Sequence, residues 1–184
     1  MYANQFYMPE HFSQQINMEH TIIADSVEYA EDSFVDAKER LLDVNNWKRY
    51  SSLPGAVFLL KDSHGKEVHR KAHRGDHIEI NIPGLKDVHS CVVIEALEYD
   101  DYPDLSMETF TMRIRPCEHS GEKDGDEEED NNMEGALVIE RRLKHLFATF
   151  HRRNETSGNG QEAAYNQFGL PDAGWGSLLK RFVD

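Results

Sequence analysis

The chain has 184 residues, 39% hydrophobic and 29% charged, long enough to bury a core without metal or disulfide support. Its net charge of −14 weighs against a surface built for nucleic-acid phosphates or an anionic membrane, because affinity there comes from Lys and Arg. The start, MYANQFYMPEHF, has neither the basic opening nor the apolar run of a signal peptide, and no stretch reaches the roughly 20 apolar residues of a membrane span, so a soluble cytoplasmic protein is expected.

Residues 1–18 carry Phe6, Tyr7, Phe12 and Ile16 without a clean period and read as an N-terminal arm, leaving 19–184 as a single domain. Ile22, Ile23 and Val27 predict a first strand over 20–29. The clearest helix follows, Ser33 to Tyr50. Phe34, Ala37, Leu41, Val44 and Trp47 recur at spacings of three and four, and Ser33 suits the N-cap. The helix's C-terminal end is marked by the Asn45–Asn46 pair or, at the latest, by SSLPG, where Pro54 and Gly55 stop any continuation.

The period then becomes strand-like. GAVFLLK is an apolar strand, DSHG a turn, and EVHRKA, residues 67–72, a further strand. Ile78, Ile80 and Ile82 alternate with His77, Glu79 and Asn81. Residues 88–99 suit a central strand, and Phe110, Met112 and Ile114 alternate with Thr109, Thr111 and Arg113 over 107–117. Cys91 and Cys117 lie in these strands; two cysteines make no disulfide framework, so two reduced, partly buried thiols are expected. Residues 118–135 are acidic and nearly devoid of apolar side chains, which predicts a mobile loop; their carboxylates lack the spacing of an EF-hand. Residues 136–155 admit either period, with strand preferred because a long basic strand or a hairpin would finish the sheet. Helix is predicted over 161–168 and 172–183, interrupted by Gly169, Leu170 and Pro171. The expected fold is α+β: a curved antiparallel sheet of about six to seven strands, with an N-proximal and a C-terminal helix.

This order of elements resembles the START-like, or helix-grip, superfamily of polyketide cyclases and lipid-transfer domains. Many members carry an Asp, two or three residues, a Trp and then an aromatic late in the first helical region; here that stretch is Leu42-Asp43-Val44-Asn45-Asn46-Trp47-Lys48-Arg49-Tyr50. The stretch Gly75-Asp76-His77-Ile78-Glu79-Ile80-Asn81-Ile82-Pro83-Gly84 also resembles acidic bacterial proteins of no assigned activity. The superfamily resemblance implies a sheet gripping the last helix around an apolar chamber, and an apolar small molecule or lipid as ligand.

Trp47, Tyr50, Phe58, Phe110, Phe150 and Trp175 fall on predicted inward faces or element ends, where they would either line such a space or fill a core. His64, His69, His73 and His77, with His89 nearby, raise a metal reading, but turns separate them and no HExxH helix supports it. Asp76, Glu79, Glu95, His145 and His151 are the acid–base candidates; no GxSxG, Walker A or dinucleotide motif accompanies them. The basic run Arg141, Arg142, Lys144, His145, His151, Arg152 and Arg153 follows the acidic stretch directly, which suggests charge pairing between the two. No catalytic residue, metal or cofactor is assigned. Three readings follow: a non-enzymatic binding domain for an apolar ligand, a protein-interaction or structural protein open to dimerisation, and a cyclase or hydrolase of the same fold.

Overall fold

Ser26, rather than Ser33, starts the first helix. In the computed structural model, which describes residues 16–84, 90–117, 134–153 and 168–184, the Ser26 hydroxyl accepts from the Tyr29 N–H at 3.1 Å. Helix α1 runs Val27–Leu42, and Ala30, Phe34, Ala37 and Leu41 form its buried stripe. Strand β1 precedes it at Ile16–Ile23, four residues earlier than the apolar pattern predicts. The reason is the cap: a serine that satisfies a helix N–H draws Val27 into the helix despite its β-branched side chain. β1 also takes in Ile16 to Met18, which the sequence reading assigned to the arm; residues 1–15 lie outside the described ones.

The predicted continuous helix to Tyr50 is two elements. α1 stops at Leu42, Asp43 leaves helical geometry, and a 3-10 helix runs Val44–Arg49. The Trp47 indole N–H donates to the Arg40 and Leu41 carbonyls at 3.2 Å each; Leu41 is an acceptor that the last helical turn leaves open, and Arg40 also accepts from the Asp43 N–H at 3.3 Å. Asn46 donates to the Asp43 carboxylate at 2.7 Å. The stretch from Asp43 to Trp47 therefore closes a helix end.

Five further strands are β2 Val57–Lys61, β3 His77–Asn81, β4 Ser90–Tyr102, β5 Met107–Pro116 and β6 Glu134–Arg142, and β7 His145–Arg153 completes the set. All pair antiparallel, in the order β1-β7-β6-β5-β4-β3-β2, and the sheet curls into a half-barrel. Over 136–153, the described part of the ambiguous 136–155 segment, the outcome is strand, as a hairpin joined by Leu143 and Lys144. The predicted strand over 67–72 is absent. After the Asp62–Gly65 turn, Val68 N–H reaches Leu60 O, but by Ala72 the backbone N–H bonds to Leu42 O at the end of α1. Asn45 explains the departure: its side chain takes the Val68 carbonyl and the Leu60 N–H, groups that a longer hairpin would need for itself.

β4 and β5 carry the second correction. Their register places Cys91 opposite Cys117, and the two are joined by a disulfide with Cα atoms 5.3 Å apart, in place of the expected reduced thiols. Helix α2, Asp172–Val183, occupies the predicted position and buries Trp175, Leu178, Leu179 and Phe182 against α1 and the concave face of β1 and β7. Gly169 makes the turn into it at φ +79°, with Ser90 so close that a Cβ would stand 2.6 Å from the serine's. The acidic stretch to residue 133, His89 and residues 161–167 of the helix predicted over 161–168 lie outside the described residues. Among the described residues no helix is long and apolar enough to cross a membrane.

Candidate functional site

Five of the six aromatic positions singled out in the sequence meet in one cluster on the concave face. Trp47 is the hub, with ring centroids 5.7 Å from Phe58, 6.3 Å from Trp175 and 5.7 Å from Phe182. Tyr50 reaches Phe182 at 6.3 Å, and Phe150 touches Trp175 at 4.6 Å and Phe168 at 5.6 Å. Phe168 and Phe182 were not among the site candidates; the periodicity of α2 marks Phe182 as inward, but nothing local marks Phe168. The sixth position, Phe110, is buried farther along β5, opposite Tyr99, and shares no ring contact with this cluster. One atom in the cluster stands out. The Trp175 indole N–H is buried and has no hydrogen-bond partner among the described residues.

The polar candidates are dispersed. Asp76 is buried and accepts from Arg70 through both guanidinium nitrogens, at 2.6 and 2.9 Å, and from the His73 N–H at 2.8 Å. Burial pushes its carboxyl up, but Arg70 and the His73 N–H outweigh it and hold it below its ordinary value. Glu79 pairs with Lys61 and Glu95 with Arg115, while His145 stacks on Phe147 and His151 lies 3.1 Å from the Thr149 hydroxyl. Among the described residues no three His, Cys, Asp or Glu side chains converge as a metal-ligand set. The basic run finds carboxylates within the fold: Arg141 with Glu108 and Glu31, Arg142 with Glu140, and Arg152 with Asp172.

Arg141 organises one end of the concave face. It is buried, and besides Glu108 it donates to the Ser106 and Leu143 carbonyls, tying the β4–β5 and β6–β7 turns together. Glu108 also accepts from the Tyr99 hydroxyl at 2.9 Å. Burial, and next this bond to a carboxylate, push the Tyr99 phenol up to about 12, so it stays a donor at any physiological pH. Glu31, Val35 and Lys38 lie along one flank of α1 at i, i+4 and i+7. Glu31 reaches Arg141, and the Lys38 ammonium sits 5.5 Å over the Tyr99 ring, beside Phe34. This flank therefore faces the far half of β4.

Among the described residues that half of β4 is a free edge. Ile94 bonds to Gly75 and Asp76 at 2.8 Å each; beyond it the chain on that side turns away at Gly75, φ +87°. From Ala96 to Asp101 no described residue pairs with β4 on that side. Val35 on this flank and Tyr99 on β4 are exposed, and Leu97, two residues before Tyr99 on the strand, is partly buried against the core. The arrangement is a shallow apolar strip bounded by unpaired backbone groups. Its shape suits an extended segment.

The fold and this strip define a class no narrower than an α+β half-barrel with an open sheet edge. No protein-family model, curated protein or solved structure matches the chain.

Proposed function

We propose that the protein is a non-enzymatic interaction module whose contact face is the α1 flank and the free edge of β4. One observation carries this reading: large apolar side chains, Val35 and Tyr99, stand exposed beside an unpaired strand edge. Exposed apolar surface next to unsatisfied backbone is where proteins recruit partner segments. Peptides selected from a random displayed library against the full chain should lose binding to a Val35→Glu, Tyr99→Ser variant. Val35 is half-exposed on a helix, so Val35→Glu alone should leave stability within about 0.5 kcal/mol and serves as the control for folding. Selected peptides that bind both variants unchanged would sink the reading.

A second reading keeps the helix-grip kinship and a small apolar ligand held by Trp47, Tyr50, Phe58, Phe150 and Trp175. The unpaired Trp175 N–H favours it, because a buried donor without an acceptor is costly and a ligand oxygen would satisfy it. Native mass spectrometry of the purified protein tests it: a bound mass lost in Trp175→Phe supports it, and a bare chain of the sequence mass counts against it.

A further inference from the structure

Resting on the interaction reading, the geometry points to the partner's form and chemistry: an extended segment that alternates basic with apolar residues and adds to β4 as an eighth strand beside residues 96–101. In an antiparallel ladder every second residue directs its N–H and C=O away from its partner strand. β4 pairs with β5 along this length, so alternate residues between Ala96 and Asp101 present both groups to the free side. An added strand would satisfy them, and its inward side chains would rest on Leu97, Tyr99 and Val35.

Charge selects the partner. Glu98 pairs with Arg113, and Glu95, at the bulge where the edge begins, pairs with Arg115. Asp100 and Asp101, both exposed, have no ion-pair partner among the described residues, and Asp104 follows in the adjoining turn. A second copy of this chain, pairing edge to edge about a two-fold axis, would set carboxylates against carboxylates, which is destabilising. The same acidic groups, with the bulge between Ile94 and Ala96, thus keep two copies apart and admit a basic strand.

Selected peptides provide the test, with the full chain as receptor and fluorescence anisotropy as readout. The enriched sequences should alternate Lys or Arg with Val, Ile or Phe. Binding should weaken roughly tenfold or more in Asp100→Lys, Asp101→Lys, two exposed positions that leave the core untouched. N-methylation of every second peptide amide discriminates the geometry. One alternate set faces β4 and its methylation should abolish binding; the other faces solvent and should be tolerated. If both sets act alike, strand addition is overturned, and if the charge reversals do nothing, the basic partner is; in either case loss of binding in Val35→Glu leaves the contact face standing. If binding ignores Val35→Glu as well, both fall.

Discussion

Leu143 adopts φ +51° in the two-residue link between β6 and β7, a left-handed conformation that costs an L side chain about 1–2 kcal/mol. Its side chain is half-exposed, so little burial offsets that cost. Leu143→Gly should therefore raise stability by about 1 kcal/mol even after glycine's greater freedom when unfolded is counted; a lowered urea midpoint would show that the leucine side chain stabilises the turn. His151 sets a pH dependence. Burial pushes its imidazole below the ordinary value, and Glu19 pulls it only partly back. Just below the ordinary histidine value of about 6.5 the unfolded chain then binds more protons than the folded one. Stability is full above that pH and falls as pH drops through it towards the folded value. Urea midpoints should decline between about pH 7 and 5, and His151→Gln should flatten the decline. Neither feature has a sequence signal: a leucine carries no mark of positive φ, and burial of one strand face depends on what covers it.

At the scale of elements, the β4–β5 hairpin is closed at its open end by Cys91–Cys117, 26 residues apart. Chain-entropy arguments give such a link about 3 kcal/mol of stabilisation. Cys91→Ser, Cys117→Ser should lower the unfolding free energy by roughly that amount, and a reductant should act on the parent chain but not on the double variant. An unchanged parent under reductant would mean that the thiols are unpaired in solution. The hairpin's strands were legible from alternation; the pairing of two cysteines was not, because it depends on a register that a bulge at Glu95 shifts by one residue. The same limit explains the segment after Asp62, where strand-like residues 67–72 yield to the Asn45 side chain.

At the scale of the whole molecule, Trp47 joins α1, the 3-10 helix, β2 and α2. Its roles separate by substitution. Trp47→Phe keeps a ring but deprives the Leu41 carbonyl of its donor and the Arg40 carbonyl of one of two, and should cost about 1–2 kcal/mol. Trp47→Ala also empties the space between Phe58, Trp175 and Phe182, and should cost about 3–5 kcal/mol in denaturant unfolding. Equal losses from the two variants would place the stabilisation in the hydrogen bonds alone. The high net negative charge acts at this scale too, since it bears on which partners approach the β4 edge and how steeply their binding depends on salt.

The sequence alone determined the α+β class, the helix at each end of the fold, the central strands and five aromatic residues that meet, because hydrophobic period is a local property that burial on one face imposes directly. Tertiary structure decided the rest. Whether the two cysteines join, where β4 runs past its neighbour and which aromatic side chains stay exposed all depend on residues distant in the chain, and no local pattern encodes a partner that folding alone brings within reach.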